Sequence, residues 1–270
     1  DDQTREDFVS GTARHTGTAF LFPGQGSQYV GMGKALCDAR PRAREIFEEA
    51  DDILGFPLSR ICFEGPSDEL TRTQNTQPAI FLHSVALSAL LGGGDVAAVA
   101  GHSLGEYSAL VHAGAIQFGD GLRLVRLRGE LMQRAGDERP GTMAAIVGLG
   151  QIAVEESCRE AADAGVVQCA NFNSPGQIVI SGSVGGVRKA MEITKAKGAR
   201  MAKELTVSGA FHSPLMESAR SGLETALEKA DILNARVPVY ANVTAEPVEI
   251  AGKIRTFLGA QLTSAVLWES

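Results

Sequence analysis

A serine between two glycines is the residue best placed to do chemistry. Residues 96–106, VAAVAGHSLGE, form a short apolar run that leads into a G-x-S-x-G pattern and then a predicted helix over 104–111. The glycines at 101 and 105 permit a sharp strand-to-helix turn that lifts the Ser103 hydroxyl clear of the backbone. Amides at the start of the helix would face negative charge formed at that serine. The pattern predicts a nucleophile; the alternative is a glycine-rich turn that merely contains a serine.

A serine nucleophile needs a general base, and the chain contains five histidines. His212 lies in the segment GAFHSP, residues 209–214, between a predicted strand and a predicted helix, where α/β scaffolds often display reactive side chains. The other four lie in the polar N-terminal segment, in an apolar helix, in the helix after the turn and directly beside the serine: His15, His83, His112 and His102. We therefore predict that Ser103 pairs with His212, with a purely structural histidine as the alternative.

No carboxylate is obviously placed to orient that histidine. Asp137 and Asp163 fall in a predicted boundary or in a predicted inserted unit, so the sequence does not predict a full triad. A Ser103–His212 dyad, with the second imidazole nitrogen held by a backbone carbonyl, is the consistent expectation.

Strand and helix patterns alternate along the chain, which predicts an α/β fold with a parallel sheet. The predicted strands cover 18–22 and 96–101, and the predicted helices cover 40–54, 77–91 and 120–135. In the middle of the chain the predicted order is strand, helix, strand, strand, helix, strand, over 143–149, 153–164, 166–172, 177–181, 185–197 and 200–207. This βαββαβ order is that of a ferredoxin-like unit.

These patterns predict how the chain is divided. A large α/β unit takes residues 18–139 and 207–270, and a small ferredoxin-like unit at 140–206 is inserted into it. Residues 1–17 are polar and lack an apolar signal core, which predicts a leader or linker.

Composition excludes several classes of function. The 270 residues carry a formal net charge of −7 with scattered basic residues, which argues against nucleic-acid binding. The most apolar stretch, 78–91, is shorter than the roughly 20 residues of a membrane span. The 4 cysteines show neither C-x-x-C nor metal-ligand spacing, so we expect a reducing, cytoplasmic compartment, no disulfide framework and no metal site.

Six blocks, taken in order, resemble malonyl-CoA:acyl-carrier-protein transacylases, the acyltransferases of fatty-acid and polyketide synthesis. They are FPGQGSQ at 22–28, GHSLGE at 101–106, LRG at 127–129, NFNSPGQ at 171–177, GAFHSP at 209–214, and Gln261-Leu262 with Trp268. The resemblance implies a ping-pong reaction in which the serine takes malonyl from coenzyme A and passes it to the phosphopantetheine thiol of a carrier protein. It also implies a hydrolase-like α/β unit that carries the ferredoxin-like insert.

The resemblance assigns roles to single residues of this chain. Backbone amides of Gln25 and Leu104 would form the oxyanion hole, for which an ordinary turn at 23–26 is the alternative. Arg128 would grip the free carboxylate of malonate with its planar fork. A solvated basic face is the alternative for any one arginine of this helix, which also carries Arg123, Arg126 and Arg134.

Further side chains are expected around the acyl group. Gln261 would hold either the side chain that binds the carboxylate or the His212 loop. Asn171 and Asn173 would brace the insert against the site. His102 and Asn173 would also face the substrate. A ring at Phe211 leaves little room for an α-methyl branch and favours malonyl over methylmalonyl, with structural packing as an equal alternative.

The implied partners are a coenzyme A thioester and an acyl carrier protein, with no permanently bound cofactor. An acidic carrier would need a local basic patch, which Lys189, Lys195, Lys197, Arg200 and Lys203 of the insert could supply, unless they form only a solvated face.

Two other functions stay open: a serine acyl hydrolase or thioesterase, and an inactive docking domain of a synthase. Relatives continue with helical sequence beyond the position of Trp268, so a shortened stand-alone enzyme and an excised synthase domain are both compatible with the chain.

Overall fold

The computed structural model describes residues 17–92 and 95–270. The predicted leader, with His15, lies outside the described residues except for Gly17. The described strands are β1 Thr18–Phe22, β2 Val96–Gly101, β3 Gly141–Val147, β4 Val167–Ser174, β5 Gln177–Ser183, β6 Met201–Glu204, β7 Val239–Tyr240, β8 Pro247–Val248 and β9 Val266–Leu267. They form two separate sheets.

The helices of the described residues surround and connect these sheets. They are α1 Lys34–Ala39, α2 Pro41–Leu54, α3 Leu58–Glu64, α4 Ser67–Thr71, α5 Thr73–Leu91, α6 Gly105–His112, α7 Phe118–Glu138, α8 Gln151–Glu160, α9 Val184–Ala196, α10 Glu217–Lys229 and α11 Ala251–Gln261. Short 3₁₀ turns cover Ala162–Ala164 and Pro214–Met216. Of the helices within 17–92 and 95–270, none is both long and apolar enough to cross a membrane.

The first sheet has the order β1-β2-β7-β8 and carries the serine turn at the end of β2. Strands β1, β2 and β7 pair in parallel, and β8 pairs antiparallel to β7. Helix α6 returns against β1 and β2, while α5 and α7 pack on each other with the rings of Phe81 and Phe118 stacked. This sheet with its helices confirms the predicted hydrolase-like α/β class, because the carboxyl end of a parallel strand feeds directly into a helix.

The second sheet has the order β6-β3-β5-β4-β9 and contains the βαββαβ sequence β3-α8-β4-β5-α9-β6. Successive side chains of a strand point to opposite faces, so the two faces of this sheet pack in different hydrophobic cores. On β5, Ile178 and Ile180 belong to a core shared with α8 and α9, whereas Val179 belongs to the core of the large unit. The last strand, β9, pairs in parallel with β4, so the C-terminal segment of the described chain is attached to this sheet.

Several element boundaries differ from those expected from sequence. Helix α5 begins at Thr73 rather than Gln77. Pro78 therefore lies inside the helix and not in its first turn, where proline is favoured. The strand expected over 200–207 ends at Glu204, and irregular chain leads from there to His212. The division into residues 18–139 with 207–270 and an insert at 140–206 stays a prediction.

Candidate active site

The turn at Ser103 depends on close backbone packing. Ser103 has φ +50°, a left-handed conformation, between the end of β2 and the start of α6. A Cβ at Gly101 would overlap the main chain of Gly105, and a Cβ at Gly105 would overlap the carbonyl of Phe22. The Asn242 side-chain oxygen accepts a hydrogen bond from the Ser103 amide at 2.6 Å. Both glycines are therefore required for β1, the turn and α6 to approach one another.

Ser103 and His212 form a hydrogen-bonded pair. The serine Oγ lies 2.9 Å from Nε2 of the imidazole, and Nδ1 lies 2.8 Å from the main-chain carbonyl oxygen of Gln261. Because a carbonyl only accepts, Nδ1 carries the proton and donates it, which leaves Nε2 free to accept from the serine hydroxyl. Burial, and next the positive charge of Arg128, lower the His212 pKa to about 3. The imidazole is consequently neutral near pH 7 and available as a base.

Arg128 on α7 is a buried cation, 1% exposed. Its Nη1 donates to Gln77 Oε1 at 2.8 Å, and its Nη2 donates to Gln261 Oε1 at 2.8 Å and to Ser103 Oγ at 3.0 Å. Its Nε has no hydrogen-bond partner within the described part of the chain. All three acceptors are neutral groups, and a buried charge without an anionic partner is costly. The site therefore presents a guanidinium suited to an incoming carboxylate.

A buried carboxylate lies behind the reacting groups. Glu106 is 2% exposed. Its Oε2 accepts a hydrogen bond from Gln261 Nε2 at 2.7 Å and another from the main-chain N–H of Asn242 at 3.1 Å. Burial raises the Glu106 pKa to about 7, against the opposing effect of these hydrogen bonds and of the Arg128 charge. Gln261 thus connects Glu106, Arg128 and His212 through separate atoms of one residue.

Ser103 opens into a cavity of about 220 Å³ between the two sheets. Gln25, Leu104 and Arg128 also line it, and its apolar walls come from Met132, Met143, Val179, Leu205, Val207 and Phe211. Asn171 and Asn173 of β4 contribute polar groups. The His102 Nε2 lies 2.9 Å from Asn173 Oδ1, and the His102 ring meets Trp268 in an edge contact at 5.5 Å. The cavity therefore gathers the residues expected from sequence, while Gln261 lies fully buried beneath it.

The remaining candidates lie elsewhere. His83 is on α5, and the His112 Nδ1 lies 2.7 Å from Ser88 Oγ. Arg123 pairs with Asp120 and Arg126 pairs with Glu130, so neither competes with Arg128 for the serine.

The predicted basic patch of the insert is partly neutralised. Lys189 pairs with Glu192, and Lys197 pairs with both Glu156 and Glu160. These partners weaken its expected attraction for an acidic surface.

Sequence reasoning missed four residues that hold the site together: Gln77, Glu106, Gln168 and Asn242. Each acts through an amide or carboxylate contact to a residue distant in the chain, and no motif marks such a contact. Glu106 had two signals: it is the last residue of the block GHSLGE, and it lies in the first turn of the helix that follows the serine. Within residues 17–92 and 95–270, no cluster of three or more His, Cys, Asp or Glu side chains could hold a metal ion.

Comparison with known proteins points to one family. The model of the acyl transferase domain family matches residues 19–268. The malonyl CoA-acyl carrier protein transacylase of Bacillus subtilis strain 168 is 46% identical over 254 residues, which cover 93% of this chain and 80% of that protein. The Escherichia coli K12 protein of the same name is 45% identical over 253 residues, which cover 93% and 82%.

Solved structures agree with the sequence relatives. The acyl-carrier-protein-S-malonyltransferase of Bartonella henselae matches with a TM-score of 0.88 and 45% identity, over 93% of this chain and 82% of that one. A malonyl-transacylase solved in complex with a type II PKS acyl-carrier protein matches with a TM-score of 0.89 and 43% identity, over 93% and 82%.

Proposed function

This chain belongs to the acyl transferase family, and its relatives include malonyl CoA-acyl carrier protein transacylases. On this premise we propose how its residues move malonyl from coenzyme A to a carrier protein. The observation that carries the proposal is Arg128, a buried cation with neutral partners whose Nη2 lies 3.0 Å from the Ser103 hydroxyl. In malonyl-CoA the free carboxylate is separated from the thioester carbon by a single methylene. A cation beside the nucleophile therefore suits that substrate.

Acylation begins at the serine. His212 Nε2 accepts the Ser103 hydroxyl proton as Oγ attacks the thioester carbon, and the Gln261 carbonyl holds the resulting imidazolium through Nδ1. Backbone amides of Gln25 and Leu104 stabilise the oxyanion of the tetrahedral intermediate. Collapse of the intermediate breaks the carbon–sulfur bond, and the coenzyme A thiolate leaves with the proton from His212.

Transfer to the carrier repeats these steps in reverse. His212 accepts the proton of the phosphopantetheine thiol, the sulfur attacks the ester carbon, and Ser103 leaves and recovers the proton. Arg128 holds the malonyl carboxylate through both half-reactions, with a bidentate fork that lysine could not supply. Phe211, His102 and Asn173 line the space around the acyl group.

The proposal needs no permanently bound cofactor, because malonyl-CoA brings the acyl group and the carrier brings the accepting thiol. A cytoplasmic location is part of it, supported by four free buried cysteines that suit a reducing compartment.

Intact-mass measurement after incubation with malonyl-CoA tests the proposal. The wild-type chain and a control, Ser218→Ala on the exposed side of α10, should gain one malonyl group, and Ser103→Ala should gain none. Malonyl should then move to a phosphopantetheine-loaded carrier faster than free malonate is released. Malonyl labelling of Ser103→Ala would show that Ser103 is not the nucleophile. Release of malonate without transfer to the carrier would favour the alternative function, a thioesterase.

A further inference from the structure

His212 lies on a turn whose backbone needs external support. Its φ of +57° is left-handed, a conformation that is unfavourable for a residue with a Cβ. Such a conformation persists only where surrounding contacts enforce it. The turn is also 4% exposed at His212, so its polar backbone groups need protein partners.

One side chain of the small unit supplies that support. Gln168 of β4 donates from Nε2 to the main-chain carbonyl oxygen of His212 at 2.9 Å. The same nitrogen donates to the carbonyl oxygen of Thr263 at 3.4 Å. A primary amide carries two N–H groups, so both contacts can form at once.

The two carbonyls belong to the two segments that set the geometry of the base. One is the backbone of His212 itself. The other follows two residues after Gln261, whose own carbonyl accepts from the imidazole Nδ1 at 2.8 Å. A single amide therefore fixes the residue that carries the imidazole relative to the segment that orients it.

This amide is carried by a paired strand. Gln168 of β4 lies opposite Ser181 of β5, and further along β4 Asn171 and Phe172 pair with β9. On β4 the next residue, Cys169, belongs to the core under α8 and α9, so Gln168 lies on the face turned to the large unit. The main chain of His212 is thus contacted from a sheet that contributes neither Ser103 nor His212.

We propose that Gln168 is a positioning residue for the transfer reaction, which acts on the serine through the orientation of the His212 imidazole. This rests on the proposed function of Ser103 and His212 in acyl transfer. Because glutamine offers two donors to two carbonyls, the isosteric glutamate, with a carboxylate facing both oxygens, removes the interaction without removing volume.

Two variants of Gln168 and two matched controls test the proposal. Gln168→Ala and Gln168→Glu should each lower the first-order rate of Ser103 acylation at saturating malonyl-CoA by about tenfold or more, since small misplacement of a reacting group is costly. The concentration for half-saturation should change by less than about twofold, because Arg128 and the cavity are unaltered. Gln151→Ala and Gln151→Glu, at the exposed start of α8, control for truncation and for added charge.

A second readout does not depend on activity. The Nδ1 proton of His212 should give a downfield NMR resonance in the resting protein, and it should move upfield or broaden in both Gln168 variants but not in the controls. Retention of the acylation rate in Gln168→Glu would overturn the proposal, even if Gln168→Ala is slow, because only volume would then matter. An unchanged Nδ1 resonance would also overturn it. Failure of the proposed function would instead appear as a wild-type protein that is never acylated.

Discussion

Arg128 Nη2 donates to Ser103 Oγ across 3.0 Å, so the buried cation and the hydroxyl that it would serve are in direct contact. The same nitrogen donates to Gln261 Oε1. A substrate carboxylate must therefore compete with neutral oxygens for the guanidinium, and it gains because a charge-assisted pair is stronger than a hydrogen bond to an amide.

Loss of the guanidinium should lower the rate of malonyl loading much more than the rate of acetyl loading. We expect Arg128→Ala to lower the rate of malonyl loading by on the order of 100-fold, and acetyl loading far less, since acetyl has no carboxylate to lose. Arg128→Lys should recover only part of the malonyl rate because an ammonium lacks the planar fork. Competitive loading followed by intact mass measures the ratio, with Arg134→Ala on the exposed side of α7 as the control. An equal loss for both acyl groups would contradict the carboxylate role.

Phe211 should limit the size of the acyl group. Its ring lines the cavity beside Ser103 and is 6% exposed, so truncation opens space for an α-methyl branch. We expect Phe211→Ala to raise the methylmalonyl-to-malonyl loading ratio by about tenfold or more, in the range set by one methyl group. The ratio within one preparation is independent of how much protein is folded. A methylmalonyl-to-malonyl loading ratio equal to that of wild type would show that Phe211 contributes to packing and not to acyl selectivity.

The charge of Arg128 should also be visible in the titration of His212. Burial and that charge both depress the imidazole pKa, which lies at about 3, so removing the cation must raise it. The neutral imidazole is the active form, and activity is lost as pH falls through its pKa. The acid limb of acetyl transfer should therefore move to higher pH in Arg128→Ala, and NMR titration of the imidazole should follow it. A pKa that stays in place or falls would refute the electrostatic coupling.

Glu106 should make stability depend on pH. Its folded pKa of about 7 lies above the unfolded value of 4.5, so the folded state binds the extra proton between these values. The stability that this group contributes is complete below about pH 4.5 and is lost as pH rises through 7, on the order of 3 kcal/mol in total. Glu106→Gln keeps an acceptor and does not titrate. The free energy of unfolding of Glu106→Gln minus that of the wild type should accordingly increase as pH rises from 4.5 to 8, as measured by urea denaturation.

The exposed Glu228→Gln serves as the matched control and should track the wild type across the same range. A constant difference between Glu106→Gln and wild type at all pH values would contradict the raised pKa.

The amino-acid sequence by itself determined the α/β class, the glycine-flanked turn of Ser103 and the family. A strand, two glycines and a helix are local features, and six ordered blocks are specific without any coordinates. The sequence also singled out His212, because so few histidines were available, and Arg128, because its position in a block separated it from neighbouring arginines.

Only the tertiary structure decided what holds these groups in place. Gln261 meets Glu106 across 155 positions of sequence and meets His212 across 49, while Gln168 reaches the His212 carbonyl across 44. Amides and carbonyls occur throughout the chain, so nothing in their type or spacing marks the few that become partners. Their roles arise from tertiary packing that brings distant segments of the chain together and places neutral hydrogen-bonding groups around a buried cation and a buried imidazole.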